Sequence, residues 1–320
     1  MRHTVKFLIL AGAVAGFLSL PATARNRHSY GGHSLSMGSH FDDDGTPVTD
    51  CNQLDIRFDD DSGARAEEEL PAANLRSLKL NTLHHGGVRV VGWDRPAFAV
   101  KACKAAALSG TLSQIRTTLD GNELRTEGPD ADSDQWVVIY LVRAPRNATL
   151  DLRSRNGEIS LHDVVGTVTA RAQNGPISLQ NSSGTIDAET QNGPISLAGG
   201  SGNLKLTAQN GPISVKLAGT SWTGGRLDAQ TNNGPLTVKL PRGYASGVVV
   251  ESSGHGPVSC RAEGCRDQMI RDFDKANADD DDDDDYSFDR NTPRRFELGR
   301  GTQVVHLSTH NGPLSVKDLK

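Results

Sequence analysis

The chain has 320 residues, of which 36% are hydrophobic and only 5% aromatic, while 34 are glycines. A core of this composition has to be built from Val, Ile, Leu and Ala, so we expect a narrow interior rather than a thick aromatic one. The formal net charge is −5 and the sequence contains no basic stripe, which argues against nucleic acid and against an anionic membrane surface as partners.

Residues 1–24 have the layout of a secretory signal peptide. A basic start is followed by an apolar stretch over residues 7–20 and by a small-x-small cleavage site at residues 22–24. The sequence therefore predicts an exported protein, periplasmic or on the cell surface, whose mature form begins at Arg25. A retained membrane anchor is the alternative, but the apolar stretch is shorter than the ~20 residues that span a bilayer. No later segment could span a membrane, so we expect no integral membrane segment after cleavage.

Two regions precede the repeats. Residues 25–50 are rich in Gly, Ser, His and Asp, and this composition is typical of a flexible leader. Residues 51–150 hold strand-like alternations without a visible repeat, and Trp136–Val142 is apolar on both faces, which predicts a buried strand. We expect residues 51–150 to be the β-rich N-terminal part of a repeat architecture and to cap one end of it, because stacked repeats need distinct capping units.

Four cysteines in an exported chain predict two disulfide bonds, for which three connectivities exist. Cys51–Cys103 and Cys260–Cys265 are favoured because each pair lies within one region of the chain. In the chain-entropy model, closing the first and longer loop stabilises the fold by about 4 kcal/mol. A zinc site is the alternative, although no Cys-x-x-Cys spacing occurs.

A repeat of 18 residues is visible over residues 151–265, and an Asn-Gly pair marks its corner, usually followed by proline. His255-Gly256 stands in the place of one copy, and we interpret this histidine as structural. The asparagines expected to stack as a corner ladder are Asn156, Asn174, Asn192, Asn210, Asn233 and Asn311. An apolar residue lies three positions after each corner and is expected to form a core ladder. Its members are Ile159, Ile177, Ile195, Ile213, Leu236, Val258 and Leu314.

A Ser or Thr follows each of these apolar residues, and a second apolar residue follows the Ser or Thr. This period-2 alternation is typical of a strand with one buried face. A second half-repeat contains another glycine, so that every unit holds two short strands and two corners. We attribute the Asn-Gly corners to the ease with which Asn and Gly adopt φ > 0.

The predicted fold class is all-β, a single-stranded β-solenoid or β-helix with roughly 18-residue coils and an irregular β-rich N-terminal cap. Stacked coils need like residues at fixed intervals, because equivalent side chains lie above one another along the axis. Ordinary hairpins with two-residue Asn-Gly turns are the alternative, but a hairpin meander does not require identical residues every 18 positions.

The repeat pattern disappears over residues 266–300, where the run Asp279–Asp285 predicts an acidic disordered insertion. Residues 301–320 resume the pattern and are expected to form the closing coil.

Weak Ca²⁺ binding by the Asp run stays open, although its spacing lacks the pattern of an EF-hand loop. A transition metal held by the leader histidines also stays open, with an unstructured leader as the alternative. These histidines are His28, His33 and His40.

The Asn-Gly-x-Ile-Ser-Leu and Gly-Thr-x-x-Ala patterns, after a region containing Val91-Gly92-Trp93, resemble a bacterial adhesin-like family of β-strand-repeat proteins, a domain of unknown function. The resemblance covers roughly residues 51–320. It implies an exported β-solenoid without a demonstrated ligand, and it supplies no catalytic residues. The acidic insertion departs from the usual family pattern.

We therefore expect a non-enzymatic cell-envelope or surface module with an adhesin-like binding or structural role and no cofactor. Its partner would be an unknown envelope glycan or protein, and self-association stays open. The first alternative is a polysaccharide-active β-helix enzyme, which would need clustered carboxylates or a Ca²⁺ site with a basic residue on one face, whereas Asp187, Glu189 and Arg171 are scattered. The second is a polymer-forming envelope scaffold that resembles the bactofilins.

Overall fold

The computed structural model describes residues 35–38, 47–59, 61–129, 135–254, 256–265 and 294–319, all within the compact unit His33–Lys320. They form an all-β protein with two large mixed sheets and one separate strand pair. The predicted signal peptide, the leader histidines, His255 and the Asp run lie outside the described residues.

The strands and one short helix follow one another along the chain in this order: β1 (Leu35–Gly38), β2 (Asp55–Phe58), β3 (Ala64–Leu70), β4 (Ser77–His85), β5 (Val88–Trp93), β6 (Ala99–Ala106), α1 (Ser109–Leu112), β7 (Arg116–Asp120), β8 (Glu123–Glu127), β9 (Trp136–Pro145), β10 (Ala148–Asn156), β11 (Ile159–His162), β12 (Val165–Ala172), β13 (Ile177–Gln180), β14 (Ser183–Thr190), β15 (Ile195–Ala198), β16 (Ser201–Asn210), β17 (Ile213–Lys216), β18 (Leu227–Asn233), β19 (Leu236–Leu240), β20 (Gly247–Ser252), β21 (Val258–Cys260), β22 (Arg294–Leu298), β23 (Gln303–Asn311) and β24 (Leu314–Asp318).

Sheet 1 has the spatial order β22-β20-β23-β18-β16-β14-β12-β10-β4-β8-β7, and sheet 2 has the order β21-β24-β19-β17-β15-β13-β11-β5-β9-β6-β3. Most neighbours are parallel, and antiparallel pairs occur towards the ends, for example β20 with β22 and β3 with β6. The chain alternates between the two sheets from β10 to β19, so that each repeat contributes one strand to each sheet.

The repeat period sets the register between neighbouring strands. In sheet 2, Ile159, Ile177, Ile195 and Ile213 are direct partners in successive parallel pairs. These side chains are fully buried, and they share one core with inward-facing residues of sheet 1 such as Val168. Like residues recur every 18 positions because each lies beside its equivalent on the next strand.

The Asn-Gly glycines do not have the backbone conformation that we inferred from the sequence. None of the seven corner glycines of the repeats has a positive φ, whereas Gly184 (108°), Gly202 (95°) and Gly225 (150°) at the other corner do. Glycine is needed at the Asn-Gly corner because the backbones of neighbouring repeats approach each other too closely there to leave room for a Cβ atom. A Cβ on Gly193 would lie 2.2 Å from the carbonyl oxygen of Gly175, the equivalent residue one repeat earlier.

Residues 301–320 do not close the sheets as the sequence order suggests. Strand β23 lies between β18 and β20, and β24 lies between β19 and β21. The inserted copy carries the full Asn-Gly-Pro corner, and Asn311 donates a hydrogen bond to Asn233 at 3.1 Å. The copy with histidine at position 255 contributes β20 and β21, which lie beyond β23 and β24 in the two sheets.

The leader was predicted to be flexible, but its described residues include a strand, since β1 pairs antiparallel with β2. Strand β2 belongs to a second core outside sheet 2, where Ile56 and Phe58 pack with Ile139 of β9. Alternate residues of β9 face the two cores, which explains why Trp136–Val142 is apolar throughout and confirms it as a buried strand.

Candidate functional site

The corner asparagines form a continuous chain of side-chain hydrogen bonds at one margin of the sheets. Each Nδ2 donates to the Oδ1 of the asparagine one position back in spatial order. The distances are 2.9 Å from Asn174 to Asn156, 2.9 Å from Asn192 to Asn174, 3.0 Å from Asn210 to Asn192, 2.9 Å from Asn233 to Asn210 and 3.1 Å from Asn311 to Asn233. Because these amides bond mainly to one another, their role is structural.

Replacing Asn192 with alanine is expected to lower the free energy of unfolding by about 1–2 kcal/mol, because it removes one donated and one accepted hydrogen bond. Gln209→Ala is the matched control, since Gln209 is an exposed amide with no side-chain hydrogen bond within the described part of the chain. Urea unfolding followed by circular dichroism measures both values. Equal losses for the two variants would contradict a stabilising ladder.

On the outer face of sheet 2, the seven strands of the repeats each carry one hydroxyl residue in direct register, and we call this row the hydroxyl column. Its members, in spatial order, are Ser160, Ser178, Ser196, Ser214, Thr237, Ser315 and Ser259. Ser160 and Ser178 are only 6% and 9% exposed, whereas Ser196 and Ser214 are exposed. The accessible part of the column therefore lies towards the β21 end of the sheet.

A line of cations runs beside this accessible part, two residues further along each strand. Lys216, Lys239 and Lys317 are direct register partners, and Arg261 follows because its backbone N–H donates to the carbonyl of Val316 at 2.8 Å. We call Lys216, Lys239, Lys317 and Arg261 the basic stripe. All four are exposed, and none forms an ion pair with a carboxylate of the described residues.

The basic stripe was missed in the sequence, which we interpreted as having none, although each of its members lies two residues after a Ser or Thr of the hydroxyl column. Its members are separated along the chain, and the insertion of β24 is what places Lys317 between Lys239 and Arg261. Neighbouring strands are about 4.8 Å apart, and like charges at this distance repel by roughly 1 kcal/mol even in bulk water. The fold therefore concentrates positive charge along one line of this face.

On the outer face of sheet 1, one group of charged residues forms an ion-pair network. The Arg171 guanidinium lies 2.6 Å from the Asp187 carboxylate and 3.3 Å from that of Glu189. The interpretation of these three residues as scattered is therefore wrong, because parallel pairing of β12 with β14 brings them together as an ion-pair network.

A cleft of about 500 Å³ lies on the outer face of sheet 2 at the other end, and sequence reasoning missed it as a site. The Trp93 ring packs against the guanidinium groups of Arg95 and Arg143, whose Cζ atoms lie 5.0 and 5.6 Å from the ring centroid. Arg89 forms a buried ion pair with Glu158 at 3.0 Å. Burial raises the pKa of the Glu158 carboxyl, and the facing Arg89 opposes this increase.

Both predicted disulfide bonds are present. Cys51–Cys103 ties the turn before β2 to β6, with 5.4 Å between the Cα atoms, and Cys260–Cys265 closes a short loop after β21, with a Cα separation of 5.8 Å. All four thiols are used in these bonds, so the alternative of a cysteine-based zinc site is wrong.

Within the described ranges, no three His, Cys, Asp or Glu side chains are grouped closely enough to hold a metal ion. In the same ranges, no helix has the length and apolar character needed to cross a bilayer.

The sequence matches no protein-family model and no curated protein. Among solved structures, a candidate cell adhesion protein from Clostridium sporogenes is 13% identical, with 80% of this chain and 100% of that chain covered and a TM-score of 0.28. A candidate adhesin from Bacteroides fragilis is 9% identical, with coverage of 80% and 97% and a TM-score of 0.25. A candidate lipid-binding protein from Parabacteroides distasonis is 10% identical, with coverage of 81% and 98% and a TM-score of 0.23. These TM-scores are too low to assign a function.

Proposed function

We propose that the chain is an exported, non-enzymatic β-solenoid module of the cell envelope or surface, with an adhesin-like role in binding an extended glycan. In this arrangement sheets 1 and 2 are two long faces of one solenoid. Residues 151–265 are its regular coils, residues 51–150 its N-terminal part, and residues 266–300 an acidic insertion between coils. Parallel, in-register pairing of strands 18 residues apart supports the solenoid.

The observation that carries the binding role is the register of the hydroxyl column. Each Ser or Thr hydroxyl can donate and accept a hydrogen bond, so the exposed part of the column offers both functions on every strand. The strands repeat about every 4.8 Å, which produces a flat array of regularly spaced polar groups. An extended molecule with many hydroxyl groups of its own, such as a saccharide chain, suits an array of this kind.

Export is supported by two features. The layout of residues 1–24 is that of a secretory signal. Disulfide bonds persist in oxidising compartments such as the periplasm and the cell surface, and both Cys51–Cys103 and Cys260–Cys265 are formed.

The non-enzymatic character is supported by the ion pairs that Arg171 forms on sheet 1. The Arg171 guanidinium is engaged by both Asp187 and Glu189, so these side chains hold each other on the strand surface. Carboxylates that cleave glycosidic bonds instead flank the scissile bond as a general acid and a nucleophile or base.

A glycan array with neutral and acidic saccharides tests the proposal. The wild-type protein is expected to bind at least one saccharide class, and Ser214→Leu to weaken that binding roughly tenfold, because it removes a hydroxyl and adds bulk at the centre of the accessible column. Thr185→Leu is the matched control, an exposed strand residue on sheet 1. Absence of any bound saccharide, or equal effects of the two substitutions, would overturn the proposal.

A further inference from the structure

We infer that the basic stripe binds a linear anionic polysaccharide, one that carries carboxylate or sulfate groups along its length and lies across the strands of sheet 2. This inference rests on the proposed glycan-binding role and specifies the class of ligand. The stripe consists of Lys216, Lys239, Lys317 and Arg261 on four neighbouring strands.

The first argument is uncompensated charge. Several exposed cations elsewhere on the protein are paired with acids, as Arg171 is with Asp187 and Arg226 with Asp228. Lys205, which forms no ion pair with a described residue, lies in register between Asp187 and Asp228. Within the described residues, no carboxylate pairs with any member of the stripe. Asp318, the acid next to Lys317 in sequence, contacts Arg242 at 3.5 Å and accepts a hydrogen bond from the backbone of Glu263. Repulsion between the stacked cations is relieved when anionic groups bind between them.

The second argument is geometry. The stripe runs along the direction in which strands succeed one another, with one cation about every 4.8 Å, so it suits a polymer with charges at regular intervals. The hydroxyl column runs parallel to it, through Ser214, Thr237 and Ser315 of the same strands. A polysaccharide lying here places its anionic groups on the Lys and Arg side chains and its hydroxyls against the column.

The neighbouring residues favour a polysaccharide over a single-stranded nucleic acid. Proteins that bind single strands combine a basic groove with aromatic side chains on which the bases stack. On one side of the stripe lies the hydroxyl column with Ser214, Thr237 and Ser315, and on the other side the equivalent positions hold Ala218, Pro241 and Leu319. At these positions, neither side supplies an aromatic ring on which a base could stack.

The test measures the dissociation constants of the full mature chain for polygalacturonate, dextran sulfate and uncharged dextran by biolayer interferometry. We expect binding to one or both polyanions and not to dextran, with weaker binding as NaCl rises from about 50 to 200 mM. The two polyanions distinguish carboxylate from sulfate as the recognised group. The double variant Lys239→Gln/Lys317→Gln is expected to bind the polyanion at least about tenfold more weakly.

Lys205→Gln/Arg116→Gln is the matched control, because it removes the same charge from exposed strand residues of sheet 1. Equal weakening by both double variants, or tighter binding to a single-stranded oligonucleotide than to either polyanion, would overturn the inference. If neutral saccharides bind and respond to Ser214→Leu while both polyanions do not bind, the inference fails and the proposed function stands.

Discussion

Replacement of Gly193 by alanine is expected to destabilise the protein by about 3 kcal/mol, the upper part of the range for steric overpacking. The added Cβ would lie 2.2 Å from the Gly175 carbonyl oxygen and 3.0 Å from the Thr190 hydroxyl. The backbone at Gly193 cannot simply move away from Gly175, because the same close approach recurs with the next repeat on its other side. There, a Cβ on Gly211 would lie 2.0 Å from the Gly193 carbonyl oxygen.

Gly110→Ala serves as the control for this prediction. A Cβ at Gly110 meets no atom within 4 Å, and the residue lies in the short helix α1. Alanine there is expected to be neutral or to stabilise by up to about 1 kcal/mol, because alanine loses less backbone entropy in a helix. Chemical denaturation of the two variants under identical conditions gives the comparison. A loss below about 1 kcal/mol for Gly193→Ala would show that the corner tolerates a side chain.

Removal of the disulfide Cys51–Cys103 is expected to have the largest effect, a loss of about 4 kcal/mol in the chain-entropy model, since the bond closes a loop with a sequence separation of 52. The variant is Cys51→Ala/Cys103→Ala. The bond also fixes the segment that carries β2 against β9, where Leu54, Ile56 and Phe58 form the second core.

The matched comparison is Cys260→Ala/Cys265→Ala, for which the same model gives a loss of only about 2 kcal/mol, because this bond spans a sequence separation of 5. Guanidinium chloride unfolding of each variant and of the oxidised wild type gives the free energies of unfolding, and the differences from the wild type are the two losses. A larger loss for the short loop than for the long loop would contradict the entropic account.

The register of the repeat strands was predictable because the signal of the repeat is local and periodic. Ile177, Ile195 and Ile213 recur at one interval, and the same interval sets their register in sheet 2. The pairing of β4 with β10 and of β5 with β11 had no such signal, since β6 to β9 separate the partners along the chain. These pairs depend on tertiary packing.

The candidate site was only partly predictable for the same reason. The Ser and Thr of the hydroxyl column are part of the repeat, so the sequence indicates them directly. The members of the basic stripe also share one position of the repeat, but only the strand order shows that Lys317 lies between Lys239 and Arg261. The role of the corner glycines was also misread, because sequence identifies a glycine without revealing whether φ or close approach requires it.

The insertion of β23 and β24 constrains how the protein can be made. A polypeptide emerges from the ribosome from its N-terminus, so β20 and β21 are synthesised before the two strands that separate them from β18 and β19. Until β23 and β24 arrive, four strand edges lack their partners, and exposed edges readily pair with other chains. Completion of the sheets in the order of synthesis is therefore impossible, because β20 and β21 reach their final neighbours only after β23 and β24 have been made.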